Sequence, residues 1–418
     1  MGRIKQSQGF EWTLQSILDP VPVEEFFREY WGKKPLLVSR KNPDYFKGLF
    51  SLDDMDDILR FTAPTDLWAR KVDMAVKYSS VLQHMLYEQN TPGFNYQMIR
   101  RSLNTASVVL NFIEKDNNRV YHLTRTLEEE LRNRITGPIW ANAYLTPGNS
   151  YIGLHRDSHD EINLQFVGSK SWRVYEQDVR FPYDRMPLEL VLPPKDGKSR
   201  FHEQKPIMEF ILNQGDFLYM PRGYWHDPVN TDKDFSLGLT LGVRPICWLQ
   251  ALGYSLRAAA GNHEELRNTL PIEFSDNPGA LEVIHQESYR LLGHLREWLS
   301  IPETLEDLRK QTPAAPIPLN EVVFPSIEEL AQLNPASRLN KLPVDLWTCH
   351  FTSGMLRLNI KQRVIGLRRE LKNSLEYIRN SSTFSPSDLP DDLKPEEKLN
   401  LCRFLLNFGV ILCQKRMF

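Results

Sequence analysis

Gly153-Leu154-His155-Arg156-Asp157 and, later in the chain, Gly223-Tyr224-Trp225-His226 decide how this sequence folds. On a strand, residues i and i+2 point to one face, so His155 and Asp157 can both look inward. His226, on a strand returning beside them, completes a set of three ligands for one divalent metal. Two imidazoles and one carboxylate in a facial set leave coordination positions open and suit Fe(II). His159 and Asp160 form a competing pair, because His159 stands at an even offset from His155 and can share its face.

Outward from these stretches the pattern is one of short strands. Ile139 to Thr146 reads as a strand, followed by the turn Pro147-Gly148-Asn149-Ser150. Ile162 to Val167, then Gly168-Ser169, then Lys170 to Tyr175 follow the first ligand pair. Asn213-Gln214-Gly215-Asp216, Phe217 to Gly223 and the strand Phe235 to Val243 frame His226. Short strands separated by Gly, Asp, Asn and Pro turns are the signature of an antiparallel barrel or jelly roll.

The 418 residues suffice for two or three domains, and 41% hydrophobic with 25% charged residues is ordinary globular composition. A formal charge of −2 argues against a chain-wide nucleic-acid-binding role. Cys247, Cys349, Cys402 and Cys413 are widely spaced, which predicts reduced thiols and not a disulfide scaffold or a zinc site. Met1 to Phe10 is polar and no apolar run approaches a membrane span, so the expectation is a cytoplasmic protein without membrane contact.

Helices are expected over Thr13–Leu18, Pro22–Trp31, Ser51–Phe61 and Leu123–Ile135. Residues 182–206, rich in Pro and charge, read as an insertion at the barrel rim. Cys247–Ala260 and Gly279–Leu299 read as helices, the second with Leu281, Ile284, Leu291, Leu292, Leu295 and Trp298 in one broad stripe. That stripe packs either on its own barrel or against a second copy. A Pro/Ala-rich linker spans 311–318. Beyond it, Leu367–Arg379 and Pro395–Phe408 read as helices, and Val410–Cys413 as a short strand.

Asn142-Ala143-Tyr144-Leu145-Thr146-Pro147, His155-Arg156-Asp157, Gly168-Ser169-Lys170-Ser171-Trp172-Arg173-Val174-Tyr175 and Gly215-Asp216-Phe217-Leu218-Tyr219-Met220-Pro221-Arg222-Gly223-Tyr224-Trp225-His226 together resemble the JmjC-type cupin oxygenases. The likeness is strongest to the ribosomal-oxygenase (cupin 4) branch, which hydroxylates ribosomal proteins. The opening Phe26 … Tyr30-Trp31-Gly32-Lys33-Lys34-Pro35-Leu36-Leu37 resembles the start of that branch. The resemblance implies an α+β chain. Residues 1–245 would be a double-stranded β-helix barrel with flanking helices, 246–318 a helical dimerisation region with linker, and 319–418 a winged-helix-like domain.

It also implies Fe(II) on His155, Asp157 and His226, with 2-oxoglutarate as co-substrate and O2 as oxidant. Lys170 falls on the basic position that binds the far carboxylate of 2-oxoglutarate, and Asn142 on the amide that assists it. Tyr144 has the place of the tyrosine that lines the substrate cleft, and Arg222 clusters near His226 as a further substrate residue. One departure stands out. The family often carries a hydroxyl where this chain has Gly242; Thr240 or Ser236 compensates, or the contact is lost. The function implied is hydroxylation of a side chain in a protein or peptide, ribosomal or biosynthetic, through decarboxylation to succinate and a ferryl oxidant. Hydroxylation of a free amino acid or small metabolite, and a non-catalytic cupin binding role, are the alternatives. The implied partners are the substrate and a second copy of the chain; RNA contact is expected only weakly, at the basic run Lys361–Arg369.

Overall fold

A computed structural model describes residues 12–62, 72–75, 107–148, 150–151, 154–183, 205–270, 278–300, 302–304, 306, 325, 327–341, 347–352, 355–360, 363–390 and 392–414. Most of the 182–206 insertion, the 311–318 linker, Met1 to Phe10 and the start of the basic run at Lys361 lie outside the described residues.

Two antiparallel sheets build the barrel. Its strands are β1 (Leu36–Val38), β2 (Val72–Ala75), β3 (Ser107–Leu110), β4 (Trp140–Thr146), β5 (Ser150–Tyr151), β6 (Asp160–Val167), β7 (Ser169–Tyr175), β8 (Met208–Asn213), β9 (Phe217–Met220), β10 (Trp225–Asn230) and β11 (Ser236–Val243). The larger sheet runs β1-β9-β6-β11-β4-β3-β2 and the smaller β5-β10-β7-β8. From β4 onward the chain alternates between the two sheets, the β7–β8 hairpin excepted, as the jelly-roll expectation requires.

Registers stack the inward-facing residues in layers. Trp140, Gly242 and Glu161 are paired in one row, Asn142, Thr240 and Asn163 in the next, and Tyr144, Gly238 and Gln165 in the third. On the smaller sheet Val174 pairs with His226 and Trp172 with Pro228, two rows above Lys170 opposite Leu212. The alternate residues Ile162, Leu164 and Phe166 point the other way and are buried in the core outside the barrel.

The turn between β8 and β9 needs its glycine. Gly215 sits at φ +88°, and a Cβ there would lie 1.9 Å from the backbone oxygen of Asn42. Next to it buried Asp216 accepts the backbone N–H groups of Arg40 (2.9 Å) and Asn213 (3.0 Å), tying the turn to the N-terminal segment.

The N-terminal helices form over Leu14–Leu18 and Leu52–Phe61, the latter capped by Ser51, whose oxygen accepts the Asp54 N–H at 3.2 Å. The expected Pro22–Trp31 helix begins as one α-turn, Val23–Glu25, and widens to a π-turn over Phe26–Tyr30. The helix before the barrel spans Asn118–Leu131.

After the barrel the C-terminal part holds two three-stranded sheets. They pack with helices Lys372–Asn380 and Pro395–Asn407 around Trp347, Leu358, Leu375, Leu401 and Phe404. The expected helix at Leu367–Arg379 starts later than its sequence pattern suggested. Arg363–Leu367 is a strand of the β-sheet, because Val364 to Leu367 pair with the neighbouring strand. The basic run therefore lies partly on a strand. Helix Leu52–Phe61 meets this part through buried charge: Arg403 donates to both oxygens of Asp57, at 3.1 and 3.3 Å. Burial pushes the Asp57 carboxyl up to about 7, against the pull of Arg403. Arg403→Ala leaves that carboxylate without its counter-charge, and a loss of about 3 kcal/mol is expected. Denaturant unfolding checks it; Asp57→Leu with Arg403→Met, which removes both charges, should cost less than the single change.

Residues 131–137 and 244–314 form a second compact unit. It contains helices Trp248–Asn262 and Pro278–Trp298. On the second helix Leu281, Val283, Tyr289 and Leu292 are exposed, and none of its described residues is buried. Trp248, 74% exposed, and Leu249 add to the uncovered apolar surface of the unit. All four cysteines are free. No helix of the described residues is long and apolar enough to cross a membrane.

Candidate active site

His155 and His226 meet at a single antiparallel bridge. The N–H of His155 donates to the His226 carbonyl at 3.1 Å and the reverse bond is 2.8 Å. The two imidazoles consequently project from neighbouring backbones to one point, with their Nε2 atoms 3.1 Å apart. Asp157 Oδ2 lies 3.8 Å from His155 Nε2 and 3.7 Å from His226 Nε2. The Gly223 N–H donates to the Asp157 carbonyl at 3.0 Å, fixing the acid's backbone against the turn that carries His226.

The charges suit a cation. His226 Nδ1 lies 3.1 Å from the Tyr224 carbonyl and can only donate there, which leaves the Nε2 lone pair facing the centre. Burial, helped by the neighbouring His155, pushes the His226 imidazole down to about 3, so it is neutral near pH 7. Burial raises the Asp157 carboxyl, but the facing His159, His155 and His226 outweigh it and hold it below the usual carboxylate range. Asp157 Oδ2 is buried and receives no hydrogen bond from the described residues. An orphaned carboxylate oxygen beside two imidazole lone pairs is the chemistry of a divalent-metal site. Ligands at about 2.1 Å from one ion stand about 3 to 4.2 Å apart, which the three donor separations match.

Behind the three donors stands a support that no local pattern singles out. Asp178 pairs with buried Arg156, the residue between His155 and Asp157. It also accepts the indole N–H of Trp225, beside His226, at 2.8 Å. One carboxylate thus anchors both ligand-bearing segments from the outside.

The cavity in front of the donors is lined by Tyr144, Glu161, Asn163, Lys170, Trp172 and Thr240, among others. Lys170 is 5% exposed, and burial alone lowers its ammonium to about 8. Its Nζ lies 5.6 Å from the centre of the Tyr144 ring, and among the described residues no carboxylate pairs with it. The hydroxyl of Thr240 donates to Asn163 at 2.6 Å. Asn142 is paired in register with Thr240, and its Oδ1 accepts the Phe112 N–H at 3.2 Å.

Other candidates sit elsewhere. Arg222 does not line this cavity: its guanidinium lies 3.3 Å from Asp160 and against the Phe181 ring. Asp160 itself faces away from the donors, since it also holds the Tyr219 hydroxyl and the Arg222 N–H. The competing His159–Asp160 pair is thereby split. His159 stays near the centre, with its ring 4.8 Å from that of Trp140.

The Gly242 departure has a steric cause. A Cβ at Gly242 would lie 2.1 Å from the Trp140 indole, which occupies the space a side chain would need. Of the two hydroxyls that stand nearby in sequence, Thr240 lines the cavity, while Ser236 accepts a bond from Gln165. Gly242→Ser should therefore lower stability by about 1–3 kcal/mol through overpacking, read as a fall in thermal midpoint. Trp140→Ala in the same chain should recover part of it.

Glu161 is the residue missed by sequence reading. It is buried, its Oε2 lies 3.8 Å from His226 Nε2, and Asn163 donates to it at 3.3 Å. Burial and the nearby Asp157 raise its carboxyl well above the usual range. Its even offset from Asp157 was the available signal.

A family model for the JmjC domain matches residues 118–250. Rat ribosomal oxygenase 1 is 32% identical over 286 residues, covering 66% of this chain and 45% of the relative. The bifunctional lysine-specific demethylase and histidyl-hydroxylase NO66 of Aedes aegypti is 28% identical over 302 residues, covering 67% of this chain and 43% of the relative. The chain thus spans a little under half the length of these curated relatives. A solved structure of YcfD, a ribosomal oxygenase from Escherichia coli, in complex with cobalt and 2-oxoglutarate, is 16% identical; the match covers 95% of this chain and 99% of that chain with a TM-score of 0.38. The JmjC family model spans His155, Asp157 and His226 and the barrel strands from β4 to β11, and over about two thirds of its length the chain is similar to ribosomal oxygenases.

Proposed function

We propose that the protein is an Fe(II)- and 2-oxoglutarate-dependent oxygenase that hydroxylates a side chain of a protein or peptide, with a ribosomal protein as the first candidate. The observation that carries this reading is that His155 and His226, which share a donor cluster with Asp157, line one cavity with buried Lys170, which pairs with no carboxylate among the described residues. The curated relatives, named as ribosomal oxygenases and as a histidyl-hydroxylase, support the substrate class.

His155, Asp157 and His226 would hold the iron, leaving positions for the keto acid and O2. Bound Fe(II) supplies O2 activation coupled to decarboxylation: 2-oxoglutarate and O2 yield succinate, CO2 and one oxygen inserted into a substrate C–H bond. The chain's own work is positional. The Lys170 ammonium neutralises the far carboxylate in a buried place where an unpaired anion would be costly. Trp172, stacked 5.6 Å from the His226 ring, packs the ligand on the cavity side. Thr240 and Asn163, hydrogen-bonded to each other, line the same cavity as Lys170 with polar groups. Tyr144 would wall the substrate side as well as Lys170, and Asn142 would assist the co-substrate through its amide.

The test is incubation with ribosomal proteins, with peptides and with free amino acids, following succinate release and oxygen gain by mass spectrometry. Oxygen gain on a protein or peptide in step with succinate supports the reading. Oxygen gain on small molecules alone replaces it with the metabolite reading, and loss of a methyl group as formaldehyde replaces it with demethylation. Iron binding without succinate under any condition leaves a cupin binding protein.

Homodimerisation, through the uncovered faces of helices Trp248–Asn262 and Pro278–Trp298, belongs to the same proposal, since an apolar stripe of this length is ordinarily covered. Sedimentation analysis checks it. The 1–245, 246–318 and 319–418 division, and a winged-helix character for the last part, stand with it as proposals, as does a cytoplasmic location.

A further inference from the structure

The stretch Tyr30-Trp31-Gly32-Lys33 is remote from His226 in sequence, but the fold seats it against the turn that leads to this ligand. Strand β1, just beyond it, pairs with β9, with Leu36 opposite Tyr219. The stretch therefore lies where β9 runs out into Pro221-Arg222-Gly223. Gly32 takes φ +66°, the left-handed conformation that reverses the chain there. Its N–H donates to the Tyr219 hydroxyl at 2.8 Å, and that hydroxyl donates in turn to Asp160. Asp160 also accepts the Arg222 N–H at 3.1 Å. The Trp31 ring stacks on the Tyr219 ring, 9° from parallel.

Lys33 makes a second link. Its carbonyl accepts the Tyr224 hydroxyl at 3.0 Å. Tyr224 is buried in a cluster with Trp172, Val174 and Met220. Its own carbonyl is the acceptor 3.1 Å from His226 Nδ1. One residue is thus held by its side chain and holds the ligand by its backbone. The tie matters because a neutral imidazole has two tautomers, and the bond made by one ring nitrogen decides which nitrogen is free for a metal.

We propose that the Trp31-Gly32-Lys33 turn is a positioning element of the centre. Through the Tyr224 hydroxyl it fixes the Tyr224 carbonyl, and that carbonyl keeps His226 in the tautomer that carries its proton on Nδ1 and turns the Nε2 lone pair inward. Lys33 and Tyr224 act through His226. The inference rests on the donor set of the proposed function and is independent of the substrate.

The experiment uses the full chain, stripped of metal. Nitrogen NMR of labelled histidine side chains reads the His226 tautomer, assigned by the signal lost in His226→Gln, and calorimetry then reads Mn(II) affinity. Tyr224→Phe removes only the hydroxyl. It should convert His226 to a mixture of tautomers and weaken Mn(II) binding about 10-fold. Gly32→Ala places a side chain in left-handed backbone, where its Cβ meets no described atom within 4 Å. It acts through the turn alone and should move both readouts in the same direction, which keeps the test open should Tyr224→Phe not fold. Arg403→Ala, which lowers stability at the Asp57 pair, should move neither. A single unchanged tautomer in Tyr224→Phe, or a loss of affinity no greater than that of Arg403→Ala, overturns the proposal. An unaltered chain that binds no Mn(II), with the tautomer change in Tyr224→Phe, removes the oxygenase reading and keeps the tie. Mn(II) binding without any tautomer change does the reverse.

Discussion

His155→Ala is expected to abolish 2-oxoglutarate-dependent turnover, with a loss of at least about 10³-fold. The magnitude follows from what the side chain holds. His155 Nε2 is 3.1 Å from His226 Nε2 and 3.8 Å from Asp157 Oδ2, so its removal opens one corner of a three-donor set. A two-donor remnant binds the ion weakly and no longer directs its open positions into the cavity. The readout is the visible charge-transfer band that forms when 2-oxoglutarate chelates Fe(II) without oxygen. The unaltered protein should show the band, and His155→Ala should lose both band and stoichiometric iron. A variant that keeps full turnover would remove His155 from the centre. The fold should survive, because the bridge to His226 is made by backbone groups.

Lys170→Ala is expected to raise the KM for 2-oxoglutarate about 100-fold while leaving iron content unchanged. Lys170 sits two rows along β7 from Val174, the residue in register with His226, so the substitution acts on the co-substrate and not on the ligands. A charge-assisted bond to a buried carboxylate is worth about 2–3 kcal/mol, which sets the factor. The pH dependence has a definite sign. Burial lowers the free ammonium to about 8. Below that value the side chain is charged and ready to bind. Above it, binding must take up a proton, and affinity for 2-oxoglutarate should fall toward tenfold per pH unit. Calorimetric titration across that range checks it, and the dependence should vanish in Lys170→Ala. An unaltered affinity in that variant would take Lys170 out of the cavity's chemistry.

Several features of the site were legible in the chain because they are local. The alternation of a strand places His155 and Asp157 on one face whatever else happens, and the turn residues around Gly215 and Gly223 set where the strands must end. Helix caps and apolar spacing marked Leu52–Phe61, Trp248–Asn262 and Pro278–Trp298 closely. The helix expected over Leu367–Arg379 begins only at Arg369, because Leu367 is the last residue of a strand paired with another segment, and such pairing sets the boundary that a local pattern misplaces.

The sequence by itself pointed to the class of barrel and to His155, Asp157 and His226 as candidate donors, through residue type and a period of two, whereas Lys170 was singled out only by the resemblance of its motif to a known family. Tertiary structure alone decided which polar groups share the cavity. It turned Asp160 and Arg222 toward each other and away from the donors, set Trp140 where Gly242 leaves room, and brought Glu161 beside Asp157. It also placed Asp178 behind both ligand segments and Arg403 on Asp57 across the length of the chain. Such contacts join residues far apart in sequence. Their energies come from desolvated charge, which depends on what the fold buries and not on the order of the residues.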